Sequence, residues 1–429
     1  MDIIDIINKK KFGKILSKEE IDWFVQQVCS KSISESQIAS MLMAMFTRGL
    51  NFDETYNLTM AMARSGEMLN LDDIGICFDK HSTGGVSDTT TLVVVPVLAS
   101  LGVKVAKMSG RSLGWTGGTA DKMEVFKGYK TEISIDEFKK LILQNNASIV
   151  SPTEDLALAD KILYKLRSET ATVDSLPLIA SSIMSKKIAC GAKLVILDVK
   201  YGSGAFMKTL KDAKKLARTM VDIGKKAGLK VCAVISNMNQ PLTKYVGNNF
   251  EVYSALQVLN GEENNLSKLS AAICVKALLL LNRGMSINEA KEKVNYAIKS
   301  GDAKKKLKDI ISAQGGSIDV IDNSKLLFPK NNKFEIYSNK CGYVNKIDTS
   351  LLGYIAHDLQ NVNGKIVRQD DVGIVINKEV GQKVDLKESL MTVYYNKLDD
   401  IEMIKQRLSS VFEIGLKPHK TKLIDSILE

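Results

Sequence analysis

From residue 80 onward short β-prone runs alternate with longer helical segments, and that alternation restricts the chain to few folds. The runs VKVAKM, ASIVS, KLVILDV and KVCAVIS are the strand candidates. Between the last two, Ala213, Leu216, Ala217, Met220, Ile223 and Ala227 recur at helical spacing and mark one apolar stripe. Strand, helix, strand repeated in this way predicts a mostly parallel sheet covered by helices. Ligands then gather at the carboxyl ends of the strands.

The first 65 or so residues read differently. Ser17-x-x-Glu20 and Ser34-x-x-Gln37 fit the capping box that opens a helix. After the second box, Ile38, Met41, Leu42, Met45 and Phe46 follow helical spacing, a stripe expected in a core or a subunit contact. Near residue 330 a Gly- and Asn-punctuated stretch of short alternating runs begins, with LLGYIAHDLQ as its clearest helix. The segment from 315 to 335, with GGS and LFPKNNK, reads as the junction. At 429 residues the chain exceeds the roughly 250 to 300 at which a single core stops growing. The expected fold is α/β plus an all-α lobe, with a β-rich α+β C-terminal subdomain.

No apolar run approaches the roughly 18 residues of a membrane span, and the N-terminus has its acids before its lysines, inverting a secretory signal. Six cysteines without a CxxC pair read as buried free thiols, so a cytoplasmic location is expected. With three histidines the chain hardly has the ligands of a His-based zinc site, and His81 stands out. The formal charge of +10 raises a nucleic-acid partner, but the lysines are spread along helical faces and no nucleic-acid module appears. A solvated basic surface that draws in phosphate is the preferred reading, with no nucleic-acid and no membrane partner.

Two glycine-rich segments carry chemistry. In Asp79 to Asp88, Gly84 and Gly85 precede a helix, so backbone amides and a helix N-terminus can face an anion, with Lys80, Ser82 and Thr91 as direct contacts. The spacing is not that of a nucleoside-triphosphate loop. The second, Lys107 to Glu124, follows the strand VKVAKM and adds Lys107, Ser109 and Thr119, the last suited to cap the next helix. Two such loops on neighbouring strands can share one phosphate.

SGRSLGWTGGTADKME resembles the signature of the thymidine and pyrimidine-nucleoside phosphorylase family, and KHSTGGVSDTTT resembles that family's phosphate loop. YKLRSETATVDSLPLIASSIMSKK and LDVKYGSGAFMKT continue the similarity in the family's order over roughly the whole chain. The resemblance implies phosphate contacts from Lys80, Ser82, Thr91, Ser109 and Thr119 with Lys107 nearby. It implies a pyrimidine held by Arg167, Ser182 and Lys186, with Tyr164 beside the ring and His81 near the reacting edge. His81, Arg167 and Lys186 would be the catalytic residues. Ser182 and Lys186 are four apart and share a helix face, and Arg167 offers a planar fork. The implied domains are 1–65 with 160–190 (helical, base site), 70–155 with 191–330 (α/β, phosphate site) and 335–429 (β-rich). Closure of the cleft and a homodimer through the N-terminal helices are implied too.

The implied reaction is phosphorolysis of pyrimidine nucleosides to free base and pentose 1-phosphate, with inorganic phosphate as co-substrate and no organic cofactor. Thymidine-only and broad specificity both stay open, because each distinguishing contact is worth about 1 to 3 kcal/mol. Some relatives hold a potassium ion behind the phosphate loop with a glutamate. Ser254 stands at that position here and Ser87 where glycine is commoner, so potassium binding is open. Trp115 stands where a smaller ring is more usual. The rival readings are an anthranilate-type phosphoribosyltransferase, which wants acidic magnesium ligands and finds only Asp72 and Asp73 before the loop, and a non-catalytic nucleic-acid or ligand-binding protein.

Overall fold

The computed structural model describes residues 1–111, 117–153, 155–328, 332–362, 365–366, 372–396 and 401–429. Trp115 lies outside the described residues. The N-terminal lobe is built from α1 (Ile3–Lys11), α2 (Lys18–Ser30), α3 (Glu35–Arg48) and α4 (Phe52–Ala63), joined by α8 (Leu158–Glu169) and the start of α9 (Leu176–Ala189). Both expected capping boxes form, at Ser17 with Glu20 and at Ser34 with Gln37. Ile38, Met41, Leu42 and Met45 are buried in this lobe's own core against Phe24, Leu163 and Leu166. These four members of the stripe are spent inside the lobe, while Phe46 is half-buried.

The main sheet holds β1 (Phe78–Ser82), β2 (Val105–Met108), β3 (Ala147–Val150), β4 (Leu194–Tyr201) and β5 (Lys230–Asn237). A late strand, Ile424–Leu428, closes its edge, giving the order Ile424–Leu428, β5, β4, β1, β2, β3. β1 to β5 are parallel, and the late strand runs antiparallel to β5. The strand order reverses between β1 and β4. At such a switch point the connections leave on opposite faces and open a crevice at the carboxyl ends.

One face of the sheet is covered by α5 (Thr90–Ser100), α11 (Asn248–Leu259), α12 (Asn265–Leu281), α13 (Ile287–Lys299) and α14 (Asp302–Ala313). The other carries α9 and α10 (Leu210–Lys226) beside β4 and β5, with α7 (Ile135–Asn145) beside β2. α10 buries the stripe of Ala213, Leu216, Ala217, Met220 and Ile223 expected from its spacing. Gly66 marks a crossing between lobe and sheet domain: a Cβ there would lie 1.8 Å from the carbonyl oxygen of Asp155. Glu67 donates to that same carbonyl.

The four sequence-expected strands form. β1 was missed by pattern because Asp79, Lys80, His81 and Ser82 are polar, and buried strands are expected to be apolar. Ion pairs and hydrogen bonds make this polar strand tenable in the centre of the sheet. Cys341 is exposed, contrary to the expectation of buried thiols, because it sits in a surface turn before β8 (Gly342–Ile347).

Beyond the junction, β6 (Tyr245–Val246), β7 (Asn332–Tyr337), β11 (Gly373–Ile376) and β13 (Ser389–Tyr395) form a sheet in the order β6, β11, β13, β7. β8 pairs with β12 (Lys383–Val384) and β14 (Phe412–Gly415), and β9 (Asn361–Val362) with β10 (Lys365–Ile366). Helices α16 (Thr349–Asp358) and α17 (Ile401–Ser409) pack on this part. Two strands cross between the parts: β6 comes from the α/β segment, and Ile424–Leu428, hereafter β15, returns to the main sheet.

Candidate active site

A cleft of about 920 Å³ opens at the carboxyl ends of β1 and β2, between the sheet and the helical lobe. Its lining includes Lys80, His81, Ser82, Thr91, Lys107, Ser109, Thr119, Tyr164, Arg167, Ser182 and Lys186. These residues come from β1, α5, β2, α8, α9 and the two glycine-rich segments, so the long sequence separation between Lys80 and Lys186 is closed by topology alone.

The sheet-side wall is a buried charge lattice. Lys80 donates to Thr90 Oγ1 and lies 3.5 Å from Asp198 and 3.7 Å from Asp88. Lys200 pairs with Asp198 at 2.8 Å. Lys187 pairs with Asp79 at 2.7 Å, and Lys107 donates to the carbonyl oxygens of Lys80 and Met108 while facing Asp79 at 3.6 Å. Lys122 pairs with Glu251 at 3.0 Å. None of the five lysines is more than 4% exposed. They face four carboxylates, Asp79, Asp88, Asp198 and Glu251, so cations outnumber anions by one when every group is charged, beneath a cleft suited to an anion.

Burial dominates the titration of several groups here. Burial, with Lys187 and Lys80 adding to it against Asp79, lowers Lys107 to about 7. Burial also lowers Lys80, with Asp88 and Asp198 opposing. His81 is held well below the usual histidine range by burial and then by Lys187, Lys107, Lys186 and Lys80. Asp88, despite burial, is held far below the usual carboxylate range by Lys200 and Lys80.

In the first segment Gly84 adopts φ +87°, a conformation that L side chains rarely take. A Cβ on Gly85 would lie 2.7 Å from Met238 Cε. In the second, Thr119 does not cap α6 (Thr119–Met123): Gly118 is the N-cap, and Asp121 accepts from its amide. Asp121, the third residue of the helix, satisfies the Gly118 amide, and Thr119 lines the cleft.

The helical wall comes from α8 and α9. Arg167 is buried and donates to the carbonyl oxygens of Thr172, Leu178 and Val173, so most of its fork is committed to the backbone and not to a ligand. Its guanidinium lies 5.8 Å from the Tyr164 ring centroid. Lys186 donates to Asp160 and, at 3.0 Å, to Ser182 Oγ. Asp160 was missed by sequence reading, although it stands four and seven residues before Tyr164 and Arg167 on one helix face. Asp79, Lys187 and Lys200 were missed too, because only folding brings them together.

Behind the first segment, Ser87 adopts φ +62° and its hydroxyl donates to the Tyr245 carbonyl at 2.7 Å, with Thr243 Oγ1 also 2.7 Å away. Ser254 Oγ is buried without a hydrogen-bond partner among the described residues. No carboxylate stands at Ser254, and the Ser87 and Thr243 hydroxyls gather at the Tyr245 carbonyl. Asp72 and Asp73 pair with Lys193 and Lys139 at exposed positions away from the cleft. Among the described residues no three His, Cys, Asp or Glu side chains converge as metal ligands.

The helical-bundle domain of a glycosyl transferase family matches residues 4–66, and the a/b domain of that family matches residues 75–304. A pyrimidine-nucleoside phosphorylase of Staphylococcus haemolyticus is 43% identical, with 100% of each chain covered. That of Staphylococcus aureus strain MSSA476 is 45% identical over 96% of each. The crystal structure of anthranilate phosphoribosyltransferase from Thermus thermophilus superposes with a TM-score of 0.60 at 17% identity, covering 73% of this chain and 99% of that one, a likeness of fold. With a two-walled cleft, both domain matches and full-length identity in agreement, the chain belongs to the pyrimidine-nucleoside phosphorylase family of glycosyl transferases.

Proposed function

We propose that this protein catalyses phosphorolysis of pyrimidine nucleosides, releasing the free base and pentose 1-phosphate. The observation that carries the reading is one cleft with an electropositive sheet wall facing Tyr164, Arg167, Ser182 and Lys186 on the helical wall. Phosphate sits against Lys80, Ser82, Thr91, Lys107, Ser109 and Thr119. One of its oxygens forms the new bond to C1′ from the face opposite the base, as the C1′–N1 bond breaks and its electron pair leaves on the pyrimidine. The cleavage builds positive charge on the sugar and negative charge on the base. Phosphate stabilises the first; Lys186, and the Arg167 N–H groups not spent on carbonyls, stabilise the second. His81, neutral near pH 7, offers an N–H to a base carbonyl and no imidazolium.

The helical lobe (1–65 with 160–190), the α/β part (70–155 with 191–330) and the β-rich part (335–429) act as three units, the first two closing to exclude water. A homodimer forms through the N-terminal lobe, where Ile4, Phe12, Ile15 and Met43 are exposed. The unpaired cysteines fit a cytoplasmic setting.

The test is release of uracil and thymine from uridine, deoxyuridine and thymidine, with and without inorganic phosphate. Strict phosphate dependence is expected. Folded protein that releases no base with phosphate present would overturn the reading.

A further inference from the structure

Lys122 does not line the cleft, yet its ammonium ties the two glycine-rich segments together. It donates to the carbonyl oxygen of Asp88, in the first segment, at 3.2 Å and to that of Gly117, in the second, at 2.8 Å. Glu251 faces its third side at 3.0 Å. Two hydrogen bonds and one ion pair thus surround the ammonium, and Lys122 is 1% exposed. A buried charge this committed fixes the backbone it holds, because releasing either carbonyl would leave it unpaired.

Each end of the tie leads to the cleft. The Asp88 carboxylate accepts from the Thr90 amide and hydroxyl and faces Lys80 at 3.7 Å. Gly117 stands two residues before Thr119. On the far side, Glu251 also accepts from the amide of Gly247 at 3.2 Å. Gly247 has φ +118°, and a Cβ there would lie 2.6 Å from the Val372 carbonyl oxygen. Directly before it, β6 pairs with β11 of the β-rich part through Val246 with Ile374 and Tyr245 with Val375.

We propose that Lys122 is a positioning residue that sets the spacing of the two phosphate-facing segments, and that Glu251 and Gly247 make this spacing depend on the β-rich C-terminal part. The inference rests on the phosphorylase reading for the identity of the anion. The third unit thereby acts on the site from a distance, since strand β11 holds Gly247, Gly247 and Glu251 hold Lys122, and Lys122 holds the phosphate site.

The experiment compares wild type with Lys122→Met, Glu251→Gln and Gly247→Ala, measuring inorganic phosphate binding by calorimetry and KM for phosphate and for nucleoside separately. Lys122→Met should weaken phosphate binding by about tenfold or more, as charge-assisted bonds to both segments are lost. Glu251→Gln and Gly247→Ala should weaken it by about three- to tenfold, and the nucleoside KM should stay within about twofold in all three, since distant sites act independently. Should Lys122→Met fail to fold, the near-isosteric Glu251→Gln carries the test. Phosphate affinity within about twofold of wild type in the folded variants would reduce Lys122 to a structural lysine. A wild type that binds phosphate but releases no base would sink the phosphorylase reading and leave the calorimetric comparison decisive for Lys122. A wild type that binds no phosphate overturns both.

Discussion

Lys186 and Asp160 are joined by a direct ammonium-to-carboxylate hydrogen bond between α9 and α8, with Ser182 sharing the same ammonium. Asp160 thus orients the cation that the proposed mechanism places on the departing base. Asp160→Asn keeps the shape and removes the charge. Hydrogen bonds to charged groups are worth about 1.5–3 kcal/mol, so kcat/KM for nucleoside should fall by about 10- to 100-fold. The KM for phosphate should hardly move; an equal loss for both substrates would assign Asp160 to general scaffolding.

Arg167 serves the fold as well as the site. Its removal takes a donor from the carbonyls of Thr172, Val173 and Leu178, of which Leu178 keeps its place in the hydrogen-bond ladder of α9. Unmet buried groups cost about 1–3 kcal/mol each, so Arg167→Met should lower unfolding stability in urea by about 2 kcal/mol or more, along with activity. Arg167→Lys should rescue neither, since one ammonium cannot reproduce a three-way fork. A lysine variant with wild-type stability would contradict the assignment.

Lys107 supplies a pH signature. Burial lowers it from 10.5 in the free side chain to about 7 in the folded protein. Between those values the unfolded chain binds more protons than the folded one, so stability rises with pH across the window. The unfavourable term is complete below pH about 7 and fades toward 10.5. Lys107→Met should therefore compare best with wild type at the acid end, its difference in Tm growing more negative as pH rises toward 10. A pH-independent difference would show that Lys107 is charged in the folded state throughout.

The C-terminal segment should matter to the main sheet. β15 pairs with β5, Asp425 with Lys214 at 2.8 Å, and Glu429 with Lys276. Ending the chain at residue 422 should lower Tm by about 5–10 °C and promote self-association through the uncovered edge of β5. Unchanged Tm in scanning calorimetry would mean that β15 contributes no net stability.

The parallel sheet was readable because β2, β3, β4 and β5 are apolar runs and α10 carries a clear stripe. β1 was not, since Asp79 and Lys80 are buried there as members of a charge lattice whose partners, Lys187 and Asp198, lie more than a hundred residues away. Asp160 was hidden as the partner of Lys186 because the two stand on different helices, 26 residues apart. Motif reading located the cleft residues through Gly84, Gly85, Gly117 and Gly118. It overrated Arg167 as a free fork and Thr119 as a cap, because neither carbonyl acceptors nor the reach of Asp121 can be read from spacing.

The pairing of β15 with β5 also orders events in time. β5 leaves the ribosome with one edge bare and stays so while the whole β-rich part is made. Nascent chains are therefore exposed to mispairing for longest at Lys230–Asn237. The contact is among the most non-local in the chain, which places completion of the sheet among the late, slow steps of folding.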